Sequence, residues 1–303
     1  MFYSGTYFIL LYINDLANIS NKLKFILFAD DTNVFYADKS ITEVNNVLNK
    51  ELKQMSLWFK VNKLSLNISK TNYMCFHNKS YLDDCELKID GLKVNRVQVT
   101  KFLGVLVDEK LSWSDHINAV CKNVSKNISV IYKVKHMLEN NHLYMLYCSL
   151  ILPYLSYACE IWGNTYKSRL NTLMLLQKKA IRNVAKASYL DHTHPLFVQH
   201  NCLKFLDIVQ LKTLIIIYKA KNNMLPNNLQ KMFTTIKEIH SYGTRSSRKG
   251  NFNVKYCKTK RKLMSISIIG VKLWNQLDAN VQNVKTINMF KQRIKNMFIS
   301  SYK

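Results

Sequence analysis

The 303-residue chain is poor in glycine, proline and acidic side chains, and each shortage excludes a class of protein. Only 7 glycines and 3 prolines are present. This argues against a disordered chain and against an all-β fold, because such a fold needs many turn residues. Only 19 acidic residues stand against 44 Lys and Arg, so the formal net charge is +25. A charge of this size attracts polyanions, and nucleic acid first among them.

Paired cysteine motifs are also missing. Seven cysteines are present, an odd number, and none has the spacing of a CxxC pair or a zinc ribbon. We therefore predict reduced thiols in an intracellular protein, nuclear or cytoplasmic and not secreted. The uncharged run Leu143 to Cys159 has 17 residues, fewer than the ~20 that a membrane span needs. We predict a buried helix that is interrupted or restarted at Pro153, and no membrane partner.

The positive charge is distributed unevenly along the chain. Residues 1–60 have a net charge of 0, whereas residues 161–303 hold 26 basic and 4 acidic groups, a net charge of +22. This segregation favours a functional electrostatic field in the C-terminal half. The alternative is a solvated, lysine-rich surface that results from biased composition.

Two adjacent carboxylates, Asp30 and Asp31, lie in the stretch Lys24 to Ala37, KFILFADDTNVFYA. The apolar residues on both sides favour strands, and the Asp, Thr and Asn between them favour a tight reversal. The pattern predicts a β-hairpin with two acids at its tip. Adjacent carboxylates repel unless a cation neutralises them, and Mg²⁺ prefers such oxygen ligands. The alternative is that the two acids serve only the turn.

The segments that follow the hairpin alternate between helix and strand. Ser40 to Glu43 is a capping box, and apolar residues at helical spacing continue to Phe59. Strands are predicted at Tyr73 to Phe76 and at Lys101 to Asp108. Between them, Leu87 to Val94 reads as a hairpin with an Asp-Gly turn.

From residue 115 to residue 240 the chain is predicted to be almost entirely helical, and two further helices close it. A second capping box, Ser112 to Asp115, precedes the first of these helices. The predicted helices are 115–138, 141–162, 166–187, 195–201, 205–223, 227–237, Ile266 to Leu277 and Ile287 to Phe298. The fold class that follows is α+β.

An ordered series of motifs resembles one family. FADD in an apolar hairpin resembles the catalytic hairpin of reverse transcriptases. LLYINDLANIS precedes it, and it is followed by LSLNISKTNYMCF, KFLGVLVDEKLSWSDHI, SLILPYLSYACEIWGN, LQKKAIR, DHTHPLF, HSYGTR and LWNQL. Over nearly its whole length the chain resembles the C-terminal part of a jockey-like non-LTR retrotransposon reverse transcriptase.

The resemblance implies a domain organisation and a reaction. A partial polymerase palm, an antiparallel sheet with a helix, is expected at 1–110. A helical thumb-like region is expected at 111–188, and a basic helical C-terminal region at 189–303. The implied activity is RNA-directed DNA synthesis, with an RNA template, a DNA primer and deoxynucleoside triphosphates as partners. The implied cofactor is Mg²⁺, with Mn²⁺ as the alternative.

The resemblance also implies roles for individual residues. Asp30 would be the principal metal ligand, Asp31 its supporting acid and Lys70 a general acid for the pyrophosphate leaving group. A solvated Lys70 in a turn is the alternative. The expected start of the primer grip is Phe102, Leu103 and Gly104. The alternative for the glycine is a β-bulge.

Two basic segments are candidate nucleic-acid contacts. In the thumb-like region, Gln177 and three cations would line one helix flank: Lys178, Lys179 and Arg182. The most basic run, residues 241–262, interleaves Tyr242, Phe252 and Tyr256 with cations, a composition that suits single-stranded nucleic acid. Its candidate contacts are Arg245, Arg248, Lys249, Lys260 and Arg261. The alternative for both segments is solvated charge, in the second case on a mobile loop.

One departure from the family pattern concerns the start of the chain. The family has a Gln-Gly motif before LLYINDLANIS, where this chain has MFYSGTYF, and a first metal-binding Asp farther upstream. We therefore expect a polymerase fragment that lacks the first catalytic Asp and the fingers and is not competent alone. A non-catalytic nucleic-acid-binding remnant is the alternative, so whether the chain is an enzyme stays open.

Overall fold

The computed structural model describes residues 11–29, 31–76, 85–239 and 242–302, without the side chains of Ser247 and Arg248. This part of the chain forms two compact units, one up to Thr100 and the other from Lys101. Short strands and many helices are both present, so the predicted α+β class is confirmed. The assignment of 1–110, 111–188 and 189–303 to palm, thumb and C-terminal region stays a prediction.

A 3₁₀-helix, Asn14–Ile19, follows the helical residues 11–13. The strands are β1 (Lys24–Phe28), β2 (Asp31–Phe35), β3 (Asn72–Tyr73), β4 (Lys88–Ile89), β5 (Leu92–Lys93), β6 (Asn95–Arg96), β7 (Val99–Phe102) and β8 (Val105–Asp108). The helices are α1 (Ile41–Val61), α2 (Ser114–Val134), α3 (Asn140–Leu150), α4 (Leu152–Ser156), α5 (Cys159–Trp162), α6 (Lys167–Val184), α7 (Thr193–Gln199), α8 (Phe205–Lys221), α9 (Asn227–Gln230), α10 (Ile236–Ile239), α11 (Arg245–Arg248), α12 (Lys260–Leu263), α13 (Ile266–Gln276), α14 (Ala279–Gln282) and α15 (Ile287–Ser300).

In the first unit, one face of the β1–β2 hairpin packs on α1. Phe25 and Leu27 of β1 join a buried cluster that contains Met55 and Phe59 of α1. The predicted capping box is confirmed in its Ser40 half: the Glu43 backbone N–H donates to the Ser40 hydroxyl at 3.4 Å, whereas the Ser40 backbone N–H donates to Asp38 at 2.9 Å. The helix therefore begins where the sequence indicates, and its apolar side supports the hairpin.

The strands of the described residues pair only two by two. β1–β2 and β4–β5 are antiparallel, whereas β3 pairs with β6 in parallel, an arrangement that the sequence did not indicate. The predicted Asp-Gly hairpin is confirmed, with positive φ at Asp90 and Gly91. The Asp90 carboxylate accepts from the Ser56 hydroxyl at 2.7 Å and pairs with Lys60 at 2.9 Å. These contacts, Ser56 first, hold the pKa of Asp90 below its usual value.

The second predicted capping box is wrong. Helix α2 begins at Ser114, and Trp113 before it adopts a left-handed conformation with no side-chain cap. The buried Asp108 organises the turn that leads into α2, and the Ser112 hydroxyl accepts the Ser114 backbone N–H at 3.3 Å. The carboxylate of Asp108 accepts the backbone N–H groups of Lys110, Ser112 and Trp113 at 3.1, 2.9 and 2.8 Å. The Asp108 carboxylate therefore holds the short loop between β8 and α2 by contacts that are local in sequence.

The second unit is built around α8, which contributes to two apolar clusters. Phe205 and Val209, in its first half, join a cluster formed mainly by α2, α3 and α6. Ile217 and Tyr218, in its second half, join a cluster with α13 and α15 that contains the fully buried Trp274. Most predicted helices here are confirmed within a few residues, since each has an apolar face toward one of these clusters.

Two predicted helices are divided. The first, at 141–162, restarts at Leu152 next to Pro153, as predicted, and is broken again at Ala158, which has a φ of 49°. No helix in the described part of the chain is long and apolar enough to cross a membrane. The second, at 227–237, becomes α9 and α10, because the intervening backbone pairs with residues 251–253. In this pairing the Asn253 N–H donates to the Thr234 carbonyl at 2.8 Å.

A buried amide joins three helices of the second unit. The Gln177 side-chain N–H₂ donates to the Tyr147 hydroxyl at 3.0 Å and to the Leu203 carbonyl at 2.9 Å. Its oxygen accepts the Phe205 backbone N–H, the first of α8, at 2.7 Å. Gln177 is almost completely buried, so its prediction as part of an exposed helix flank is wrong.

Removal of this amide should destabilise the fold. We expect Gln177→Met to lower the free energy of unfolding by about 2–4 kcal/mol, because a buried N–H and a buried C=O lose their partner. Urea unfolding measures the change. Lys179→Met, on an exposed position of the same helix, is the control and should change stability by less than about 0.5 kcal/mol. Equal effects of the two substitutions would contradict the structural role of Gln177.

Candidate functional site

One of the two predicted carboxylates, Asp31, lies at the end of the β1–β2 hairpin that is closed by its turn. Phe28 is paired with Asp31, so the connection consists of Ala29 and Asp30 alone. Ala29 has a φ of 51°, a left-handed conformation typical of a two-residue hairpin turn. Asp31 is exposed as the first residue of β2. Asp30 lies outside the described residues.

The face of the hairpin that is not packed on α1 mixes exposed apolar side chains with polar ones. Ile26, Phe28 and Phe35 lie on it together with Asp31, and Phe28 has 58% of its surface exposed. The Asp31 carboxylate makes no hydrogen bond or ion pair with a described residue. It is therefore available to bind a cation, and its hard oxygens fit Mg²⁺. Among the described residues, no three His, Cys, Asp or Glu side chains are grouped closely enough to hold a metal.

Lys70 lies in a turn that Asn67 organises. The Asn67 side-chain oxygen accepts from the Ser69 hydroxyl at 2.7 Å and from the Lys70 backbone N–H at 3.2 Å. Lys70 is exposed, and its ammonium has no partner within the described ranges. The turn fixes the backbone of Lys70 and leaves its side chain free, so its role as a general acid stays a prediction.

The segment predicted as one strand, Lys101 to Asp108, reverses in its middle. Leu103 and Gly104 have φ values of 44° and 83° and form the turn between β7 and β8, so the prediction of a continuous strand is wrong. The Tyr157 hydroxyl donates to the Leu103 carbonyl at 2.6 Å. A Cβ at Gly104 would lie 3.2 Å from the Tyr157 ring. The glycine therefore serves the turn and not a bulge, while primer contact by Phe102, Leu103 and Gly104 stays a prediction.

On helix α6 the three predicted cations differ in their surroundings. Lys179 is exposed, whereas Lys178 is half-buried. The Arg182 guanidinium donates to the Asp191 carbonyl at 2.9 Å and stacks near the Tyr189 ring. Arg182 therefore has a structural role in the turn after α6, in addition to any contact with phosphate.

Sequence reasoning missed Lys204, which lies near Lys178 just before α8. Burial lowers the pKa of Lys204, Asp207 opposes this effect, and Lys178 adds to it. The pKa of His194 is also lowered, first by Lys204 and then by burial and by Lys178. These shifts indicate that like charges converge here. The spacing of the residues along the chain gives no signal of it, because they come from three different elements.

The described part of the basic run, residues 242–262, is folded and not a simple loop. It contains the short helices α11 and α12 and carries Arg245, Lys249, Lys260 and Arg261 exposed on them or beside them. Of Arg248 only the backbone is described. Tyr256 is 88% exposed, whereas Phe252 is 1% exposed.

Phe252 was predicted to be available for stacking on bases, and this is wrong. Its ring packs edge-on against Phe233 and Trp274 in the second cluster. Asn275 binds both backbone groups of Phe252, accepting from its N–H at 3.0 Å and donating to its C=O at 2.8 Å. Phe252 therefore anchors the basic run to α13.

The chain is similar to curated polymerases of mobile elements. It is 25% identical over 218 residues to the RNA-directed DNA polymerase from mobile element jockey of Drosophila melanogaster, covering 71% of this chain and 23% of that protein. It is 24% identical over 179 residues to the probable RNA-directed DNA polymerase from transposon X-element of the same species, covering 57% and 20%. The resemblance to jockey-like retrotransposon reverse transcriptases is confirmed.

The similarity covers only part of these jockey-like relatives. A third one, the probable RNA-directed DNA polymerase from transposon BS, is 24% identical over 166 residues, which are 54% of this chain and 18% of that protein. The chain thus spans about a fifth of the length of the curated relatives it matches. No family model matches the chain, and no solved structure does.

The turn at Gly104 allows a test of the fold beside the predicted primer grip. We expect Gly104→Ala to lower the free energy of unfolding by about 1–2 kcal/mol, because an L side chain is disfavoured at this φ. The approach of the new Cβ to Tyr157 adds to this cost. Gly91→Ala, with a similar φ and no atom within 4 Å, is the reference for backbone strain alone. Urea unfolding measures the stability of both variants. A greater loss of stability for Gly91→Ala than for Gly104→Ala would contradict a cost from the Tyr157 contact.

Proposed function

We propose that this chain supplies a carboxylate hairpin and a nucleic-acid-binding helical unit to the RNA-directed DNA polymerase of a non-LTR retrotransposon. The hairpin is the observation that carries the proposal. Its inner face is packed on α1, and Asp31, which follows Asp30 in the sequence, is exposed as the first residue of β2. The similarity to jockey-like polymerases supports the same reaction class.

In the proposed reaction, the 3′-hydroxyl of a primer attacks the α-phosphate of a deoxynucleoside triphosphate. A phosphodiester bond forms as the hydroxyl proton passes to solvent, the bond between the α-phosphorus and the oxygen that bridges to the β-phosphate breaks, and pyrophosphate leaves. Asp30 and Asp31 would hold Mg²⁺, or Mn²⁺ in its place, which when bound stabilises charge on the attacking and leaving oxygens. The exposed Lys70 ammonium would give its proton to the leaving pyrophosphate.

The second unit would hold the template and primer. Lys179, Arg245, Lys249, Lys260 and Arg261 are exposed and form no ion pair with a described carboxylate. Cations of this kind bind phosphates without reading the base sequence. Phe102, Leu103 and Gly104 would contact the primer at the end of β7.

We further propose that the 303-residue chain does not catalyse synthesis alone. A two-metal site uses carboxylates from separate strands, and this hairpin offers one of the two positions. Within the described ranges no other acidic groups complete a metal cluster. A second candidate function is therefore binding without catalysis, which the net charge of +22 in residues 161–303 favours.

Primer extension on an RNA template tests the catalytic proposal. We expect no extension by the chain alone, and extension after fusion to the segment that precedes the matched region in the jockey polymerase. In that fusion, Asp30→Asn should lower the rate by about 100-fold or more, because metal stabilisation is worth several kcal/mol.

Asp38→Asn is the matched control in the same fusion. Asp38 follows β2 and accepts the Ser40 backbone N–H at 2.9 Å, a bond that asparagine can keep. This variant should extend primers at the parent rate. Extension by the unfused chain that Asp30→Asn abolishes would refute the claim of incompleteness. A fused enzyme that is insensitive to Asp30→Asn and Asp31→Asn would refute the assigned site.

A further inference from the structure

A basic pocket of about 630 Å³ lies in the second unit. Its walls come from the end of α8, the segment 243–250 and the region of α14. Three of its lining residues are cations, Lys221, Arg245 and Lys249, and none of the described lining residues is acidic. Residues 239–277, which include the middle wall, contain no Asp or Glu at all. The pocket is therefore electropositive on more than one side.

Lys221 is the most constrained of the three cations. Its ammonium donates to the Gln282 carbonyl at 3.0 Å and to the Asn283 side-chain oxygen at 2.9 Å. It also lies 5.5 Å from the centre of the Trp274 ring. All of these partners are neutral, and burial lowers the pKa of Lys221. One ammonium proton is still without an acceptor, and the charge has no counter-ion among the described residues.

The other two cations bring charge to the pocket from a folded segment. Arg245 and Lys249 are exposed, and neither side chain contacts a described carboxylate. Gly250 next to them has a φ of 72°, and the Lys221 Cε lies 3.9 Å from the position of a Cβ there. The Phe252 anchor described above follows directly. The segment therefore keeps its two cations beside Lys221.

We propose that this pocket binds a phosphate group of a single-stranded nucleic-acid backbone. The inference rests on the proposed function, which gives nucleic acid as the class of ligand. It adds Lys221 and Asn283 to the proposed nucleic-acid contacts. A phosphate oxygen would accept the remaining proton of Lys221, and the Asn283 side-chain N–H₂ can donate. The exposed Tyr256 in the same basic run favours a strand over a free anion, because bases stack on such rings.

The test places a negative charge on the pocket wall without removing a contact. Ala279 lines the pocket, is exposed and is the first residue of α14. An acidic side chain in the first turn of a helix is favourable, so Ala279→Glu should fold normally. Ala279→Gln is the matched control, because it has nearly the same shape and no charge.

The measurement is the affinity of the full chain for a labelled single-stranded oligonucleotide between about 50 and 200 mM salt. Relative to Ala279→Gln, we expect Ala279→Glu to bind at least fivefold more weakly at the lower salt. The slope of log affinity against log salt should fall by about 0.7, which corresponds to one lost phosphate contact on a single strand. Lys219→Gln, which removes a charge from α8 away from the pocket, should change the slope less than Lys221→Gln does.

Several outcomes would overturn the inference. Equal affinity and equal slope for Ala279→Glu and Ala279→Gln would exclude the pocket while leaving nucleic-acid binding by the chain intact. A difference between these variants in the binding of free deoxynucleoside triphosphate, but not of the oligonucleotide, would assign the pocket to a nucleotide. If the parent chain bound no oligonucleotide, the proposed function itself would fail.

Discussion

Helix α8 is the element on which the helical unit depends. Its first backbone N–H is bound by the buried Gln177 of α6, and its last residue, Lys221, reaches the pocket beside α14. Between these ends, its apolar residues enter both clusters of the unit. The candidate contacts on α6 and those near residue 245 are therefore held in one framework by the burial of a single helix.

This framework has to tolerate a large positive charge. Residues 161–303 have a net charge of +22, and such a charge opposes compaction through self-repulsion. Cations such as Lys221 and Arg182 contact backbone carbonyls and aromatic rings. These partners are neutral, so they do not offset the positive charge as a carboxylate would. Apolar burial around Trp162 and Trp274 has to stabilise the unit against this repulsion. A bound polyanion would relieve it, so ligand binding and stability should be linked.

Local patterns predict the local elements well. The hairpin at Asp30 and Asp31, helix α1 with its Ser40 cap, and the Asp90-Gly91 turn follow from residue spacing and turn chemistry that act within a few positions. The errors come from contacts between distant segments. Tyr157 binds the turn at Leu103, and Asn275 draws Phe252 into the core. Lys221 was not predicted as a contact, because the other walls of its pocket, α14 and the basic run, lie far from it in sequence.

The central claim is that nucleic-acid affinity belongs to the helical unit and the carboxylates to the hairpin. The most direct test is the affinity of the full chain for an RNA–DNA hybrid over a range of salt concentrations. The account predicts steep salt dependence. Lys178→Gln with Lys179→Gln should reduce the slope by up to about 1.8, since each duplex phosphate contact contributes about 0.9. Asp30→Asn with Asp31→Asn should leave the slope unchanged. Salt-independent binding, or a slope that only the hairpin variant changes, would contradict the account.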